Sequence, residues 1–258
     1  MFDNIAIQDA FGRAAAHYDE HAQLQRMVRS YATSIALQYW PKAGLILDAG
    51  CGTGVFATEL KGQRPALSVV GFDISSGMCA QAVKNNHRCV SADARHIPFA
   101  SNSFDAIFSS LMLQWVEDTR SAFVEMHRIL KQGRVAVIAT LADGTLHELK
   151  EAFAAVDDKP HVSDFYSPHT LIESAEMAGF SLAVAKQDKI VEYYPDTIAL
   201  MRSLQAIGAT NKHTARSKGL MTAAKFTTLE KAYRQLAHAE GLPSTWHILT
   251  LVLRKESL

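Results

Sequence analysis

The sequence predicts an α/β fold, a mostly parallel sheet covered by helices on both faces. Three observations carry this. Between residues 44 and 141, short apolar runs alternate with segments of helical spacing, and such runs are the mark of parallel strands buried on both sides. A glycine loop, AGCGTG, follows the first run and precedes a helix. Acidic residues, Asp48, Asp73 and Asp93, stand at three successive strand ends, the edge where open α/β sheets bind ligands.

Residues 3–40 carry apolar side chains at helical spacing, Ile5, Ala6 and Phe11, then Leu24, Met27, Val28, Tyr31 and Ile35. Gly12 and the pair Tyr18-Asp19 predict a break between two helices. Pro41 ends the second, because the residue before proline is pushed out of the helical region. GLILDAG (44–50) predicts a buried strand, 55–62 a helix, LSVVGFD (67–73) a strand and SGMCAQAVKNN (76–86) a helix. HRCVSAD (87–93) and FDAIFSS (104–110) are the third and fourth strands. An amphipathic helix at 119–131 leads into the fifth, GRVAVIATL (133–141), with right-handed crossovers throughout. The rhythm then changes: helices at 145–156 and 168–178, a long strand at 180–194, helices at 195–207 and 222–239, and a terminal strand at 245–255.

At 258 residues the chain is one large domain or one domain with an elaboration. Its 26 basic residues balance 26 acidic ones, which argues against a dedicated nucleic-acid binder. The charged N-terminus lacks the apolar core of a signal peptide, and no apolar run approaches the ~20 residues of a membrane helix. Three cysteines, Cys51, Cys79 and Cys89, lack metal or disulfide-framework spacing and fit reduced thiols in the cytoplasm. One region breaks the balance. From Arg202 to Arg234 the basic residues are Arg202, Lys212, Arg216, Lys218, Lys225, Lys231 and Arg234, against Glu230 alone.

The glycine loop reads G-x-G-x-G across Gly50, Gly52 and Gly54, with Val55 where a dinucleotide fingerprint has its third glycine. Asp48 at its entrance would repel a pyrophosphate and suits an amino group or a positive centre. Asp73, about 20 residues on, stands where an acid can hold a ribose diol.

LDAGCGTG, GFDIS, SADARHIPFASNSFDAIFSS and HRIL together resemble the motifs of class I S-adenosylmethionine-dependent methyltransferases. The resemblance implies a Rossmann-like, seven-stranded sheet with one antiparallel edge strand and a helical lid. It also implies S-adenosylmethionine as cofactor, S-adenosylhomocysteine as product and no metal. It places Asp48, Gly50, Cys51, Gly52 and Gly54 at the methionine part, Asp73 at the ribose hydroxyls, and Asp93 and Ala94 at the adenine, with Ile74 and Met78 also binding the cofactor. Leu111 and Gln114 line the cofactor, and Trp115 walls the acceptor pocket.

The flanks AFGRAAAHYDEHAQLQR, LMRSLQAIGATNKHTARSKGLMT and GLPSTWHILTLVLRK resemble the malonyl-acyl-carrier-protein O-methyltransferases of biotin synthesis. This divides the chain into an N-terminal lid (1–40), a cofactor-binding core (41–191), a helical insertion over the acceptor (192–243) and a closing strand (244–258). The resemblance makes Tyr18 and Arg202 the catalytic residues: Tyr18 sets its hydroxyl over the cofactor as part of the lid, with Gln25 also binding the cofactor, and Arg202 orients the acceptor carboxylate by two-point geometry. A malonyl carboxylate is ionised at neutral pH, its pKa being about 4, so no histidine is needed as a base. The acceptor is an acidic carrier protein or coenzyme A thioester, with Lys212, Arg216, Lys218, Lys225, Lys231 and Arg234 as a docking face. Between Arg202 and Arg234 the aromatics are Phe226 and Tyr233 alone, too few for a single-strand stacking platform. A small-molecule methyltransferase, on a quinone precursor or free dicarboxylic acid, and a non-catalytic cofactor-binding module remain as alternatives.

Overall fold

The strands bury opposite faces with alternate residues, and this sets the layers. In the computed structural model, which describes residues 3–208 and 221–257, the helices are α1 (Asn4–Ala14), α2 (Tyr18–His21), α3 (Gln23–Ala36), α4 (Val55–Gln63), α5 (Ser76–Lys84), α6 (Thr119–Ile129), α7 (His147–Ala154), α8 (Pro168–Met177), α9 (Thr197–Ala206) and α10 (Ala223–Arg234). The strands are β1 (Gly44–Ala49), β2 (Leu67–Asp73), β3 (Arg88–Ser91), β4 (Ala106–Ser110), β5 (Val135–Leu141), β6 (Ser181–Tyr194) and β7 (Leu242–Arg254). Ile46, Phe108 and Val137 pack with Leu24, Val28, Phe56, Leu200 and Leu229 on one face. Their neighbours Leu47, Ile107 and Ile138 pack with Phe123, Met126, Leu171 and Ala175 on the other. Phe56 stacks on Phe108 with ring centroids 4.2 Å apart, and Trp40 meets both edge-on.

The sheet order is β3-β2-β1-β4-β5-β7-β6. β1 to β5 are mutually parallel, and β7 runs antiparallel to both β5 and β6. The antiparallel strand therefore lies one place in from the edge expected for it. Burial explains this: β7, TWHILTLVL at its centre, is buried on both faces. β6 carries Lys186, Gln187 and Asp188 on a half-exposed strand suited to an edge.

Local differences from the expected elements have local causes. β3 ends at Ser91, because Asp93 turns the chain by accepting the Arg95 N–H at 2.9 Å. α3 ends at Ala36, and a turn over residues 37–40 leads to Pro41, with Leu37, Gln38, Tyr39 and Trp40 all donating backwards to the helix. α3 buries Leu24, Val28, Ala32 and Ala36 in the core while its Gln25 and Arg29 face the strand ends, which α1 and α2 reach as well.

Candidate active site

β1 and β4 are neighbours with the sheet order reversing between them, and a crevice opens beyond their carboxyl ends. It holds a cavity of about 300 Å³ and a smaller one of about 60 Å³ under the glycine loop. Tyr18, Gly50, Gly52 and Ser110 line both.

The loop is held by Gly50 N–H and Cys51 N–H, which donate to Phe72 O at 2.8 and 2.9 Å. Gly50 has φ +76°, and a Cβ there would fall 2.4 Å from Met112 Cβ. Gly52, at φ +54°, has nothing within 4 Å of such a Cβ. One glycine is needed for packing; the other leaves the backbone open to the crevice. The N-terminal helices are tied over this loop. Thr53 Oγ1 donates to the Asp19 carboxylate at 2.9 and 3.0 Å, and Ser75 Oγ donates to Gln8 O at 3.1 Å. Phe11 meets Trp115 edge-on at 5.5 Å and Tyr18 at 6.4 Å.

Negative charge dominates. Asp48 is buried, and desolvation pushes its carboxyl up to about 7; Arg29 pulls it down, while Asp73 and Glu59 push it further up. Asp73 accepts from Gly52 N–H at 3.0 Å and Ser75 N–H at 2.8 Å. Burial raises its carboxyl despite those two bonds. Arg29 makes a two-point pair with Glu59, both contacts 2.8 Å. Burial opposes its charge, but the Glu59 hydrogen bond and the surrounding carboxylates hold its pKa above the ordinary value. Burial, then the charges of Asp73 and Asp19, lift the Tyr18 hydroxyl far above an ordinary phenol, so it stays a proton donor. Asp19, Asp48 and Glu59 thus surround Arg29, with Asp73 acting on Asp48 from beyond, an arrangement that favours a cationic ligand.

Most of the sequence-predicted residues converge here. Tyr18, Gly50, Gly52, Asp73, Ile74 and Met78 line the larger cavity, with Asp93, Ala94, Leu111 and Trp115. Gln25, Asp48 and Cys51 line the smaller one. Asp93 is engaged by Arg95 through Nε at 3.0 Å and Nη2 at 2.6 Å, and the hydrogen bond holds its carboxyl below the usual range.

Three predicted residues stand elsewhere. Gly54, capping α4, is covered by the His87 ring. Gln114 lines neither cavity. It donates to Leu111 O at 2.7 Å and accepts from Thr140 Oγ1 at 3.1 Å. It thereby braces Leu111, whose φ of +55° is a left-handed conformation costly for a leucine. Arg202 is exposed and lines neither cavity, because α9 turns Thr197, Leu200 and Leu204 inward and position 202 falls on the opposite face.

Of the basic stretch, Lys212, Arg216 and Lys218 lie outside the described residues. Lys225 pairs with Asp157 at 2.5 Å, Arg234 pairs with Glu230 at 2.6 Å, and Lys231 is exposed. Sequence reasoning missed Arg29, Phe11, Met112 and Arg95. Arg29 stands one helical turn from Gln25, a spacing that could have flagged it.

A family model described as a methyltransferase domain matches residues 47–138. The malonyl-[acyl-carrier protein] O-methyltransferase of Dechloromonas aromatica is 36% identical over 249 residues, covering 96% of this chain and 94% of that one. The biotin biosynthesis bifunctional protein BioHC of Teredinibacter turnerae is 35% identical over 96% of this chain and 46% of its own length. Among solved structures, a methyltransferase fold from Bacillus halodurans superposes with a TM-score of 0.64 at 15% identity, covering 89% of this chain and 99% of that one. The crevice at the glycine loop thus sits in a chain that belongs to the malonyl-[acyl-carrier protein] O-methyltransferase family, within the Rossmann-like class I S-adenosylmethionine-dependent methyltransferases.

Proposed function

We propose that the chain methylates the free carboxylate of a malonyl thioester, with malonyl-acyl-carrier protein as acceptor and S-adenosylmethionine as donor. The methyl ester formed would start the pimeloyl chain of biotin. The observation that carries this is likeness along 96% of the chain, flanks included, to proteins named for that reaction. A methyltransferase core alone would say nothing of the acceptor.

The crevice fits the donor on one count above others: Asp48, a buried carboxylate short of positive charge, sits at one end of a cradle left open at Gly52. When bound, the donor supplies a methyl group on a positive sulfur. Asp48 would hold the amino end, Arg29 and Gln25 the neighbouring polar groups, Asp73 the ribose hydroxyls, and Asp93 and Ala94 the base. Tyr18, Phe11 and Trp115 would exclude water above the reacting atoms. A dry site helps, because a positive sulfur and a negative carboxylate lose their charges together. Alignment alone can supply about 7–11 kcal/mol in favourable cases. α1 and α2, with α9 and α10, are proposed as the cover through which acceptor enters.

The test is methyl transfer from labelled S-adenosylmethionine to malonyl-carrier protein, malonyl-coenzyme A and free malonate, at low and high salt. Preference for the carrier protein supports the acceptor. Equal rates on all three discard the carrier, and no transfer to any of them overturns the malonyl assignment while leaving the cofactor site testable by S-adenosylhomocysteine binding.

A further inference from the structure

The three cysteines come from three elements, the glycine loop, β3 and α5, yet their sulfurs form a chain. Cys51 Sγ lies 3.2 Å from Cys89 Sγ, which lies 2.7 Å from Cys79 Sγ. Gly71 makes this possible. It pairs with Cys89 across β2 and β3. A Cβ at 71 would fall 2.6 Å from Cys51 Cβ and 2.7 Å from its Sγ. Any side chain there would close the passage from loop to β3. Cys51 also lines the smaller cavity, so a small oxidant reaches it through the crevice. Cys79 is buried, with its thiol directed to Asp73 O at 3.7 Å.

We propose that this cluster is a peroxide-sensitive site: Cys51 is oxidised, and Cys89 resolves it as a Cys51–Cys89 disulfide that disables the glycine loop. The consequence for activity rests on the assignment of that loop to the cofactor. The oxidant is a hydroperoxide. The Cys51 sulfur attacks its terminal oxygen, an S–O bond forms, the O–O bond breaks, and water or an alcohol leaves with the thiol proton. Cys89 sulfur then attacks the sulfenic sulfur; the S–S bond forms and the hydroxyl leaves as water with the Cys89 proton. Two thiols lose two electrons, and the peroxide takes them up.

The roles follow from position. The hydrogen bond with Cys89 is the strongest single influence on Cys51 and favours its thiolate, but burial and the charges of Asp48 and Asp73 together hold the Cys51 thiol above the ordinary value. Cys89 is pushed up further by its hydrogen bond to Cys51, and Cys79 by its bond to Cys89. Cys51 lines the cavity and so meets the oxidant first, and because its thiol is raised, reaction calls for sustained peroxide. A disulfide needs the 3.2 Å gap to close by about 1 Å. That movement draws Cys51 toward β3 and pulls on its neighbour Gly52, whose N–H is bonded to Asp73.

The test incubates the purified protein with hydrogen peroxide, with and without S-adenosylhomocysteine. It then alkylates free thiols, maps linked peptides by mass spectrometry, and measures methyl transfer and S-adenosylhomocysteine binding. The expected result is a Cys51–Cys89 peptide whose yield tracks a loss of binding and activity of tenfold or more. Dithiothreitol should restore both, and bound S-adenosylhomocysteine should slow the linkage. Cys89→Ser, with Cys89→Ala as a second variant, should keep its activity untreated and lose it irreversibly under peroxide, because Cys51 then passes to sulfinic acid. The proposal is overturned if peroxide leaves all three thiols alkylatable, or if Cys79–Cys89 forms while Cys51 stays free. The peptide map needs no acceptor, so its outcome is separate from that of the malonyl assignment.

Discussion

The crevice and the helices α9 and α10 belong to the same chain, but they hold charge in opposite ways. In the crevice, Asp48 is buried and Arg29 is fixed to Glu59 by two contacts, its side chain 12% exposed. On α9 and α10, Arg202 and Lys231 stand in solvent, and Arg234 pairs with Glu230 on the surface. Buried charges answer to pH and to ligand charge with large energies; exposed ones answer to salt with small ones. The first region should therefore set binding and the second, at most, encounter.

The sharpest break is at Gly50. An alanine there combines overpacking against Met112 with a left-handed backbone, costing about 1–3 and 1–2 kcal/mol respectively. Gly50→Ala should lower the thermal midpoint by about 5–10 °C and abolish S-adenosylhomocysteine binding. Gly52→Ala carries the backbone cost alone, so it should unfold closer to wild type while still losing ligand. Equal thermal losses from the two would undo the distinction between packing and open glycines.

Arg29 comes next. Arg29→Met leaves Glu59 and Asp48 without their cation. The loss should be about 2 kcal/mol at pH 7, less than the 3–5 of a fully buried pair because Glu59 is half-exposed. Denaturant unfolding should show the deficit shrinking toward pH 5, where Asp48 holds a proton. A deficit unchanged with pH would mean that Arg29 serves only as packing.

Asp48 carries the sign of the whole site. Its folded pKa of about 7 lies above the unfolded value, so the folded state holds an extra proton between about pH 4 and 7. That contribution to stability is complete below about pH 4 and is lost as pH rises through 7. A cationic ligand reverses the preference and expels the proton. S-adenosylmethionine should therefore bind more tightly as pH rises from 6 to 8, by up to about tenfold per unit at the steepest point. Asp48→Asn should flatten the slope. Calorimetry in two buffers of different ionisation heat reads the released proton directly; finding none in the wild type would sink the charge argument.

These contrasts also explain what was legible in the sequence. The glycine loop and its strand-end acids were readable because each depends on neighbours a few residues away, and the alternating apolar runs fixed the sheet they end. Arg29 was not, since its partner Glu59 lies 30 residues on. Nor was the bracing role of Gln114, set by Thr140 on β5. The place of the antiparallel strand was implicit in the unbroken apolar centre of β7 against the charged β6. The outward aim of Arg202 depends on which face α9 presents to the core, and the charge run around it gave no sign of that.

The smallest expected effect lies on the charged face of α10. Arg234 is partly occupied by Glu230 and Lys225 by Asp157, while Lys231 is exposed. Lys231→Glu should leave kcat unchanged and raise KM for malonyl-carrier protein about threefold at low salt, as expected for a rim charge that steers encounter. At about 0.5 M salt the screening length falls below a side chain's reach and the difference should vanish. Malonyl-coenzyme A, lacking the carrier's acidic surface, should show a smaller change. An effect on kcat, or one that survives high salt, would place Lys231 with the buried charges of the crevice and remove the contrast between the two regions.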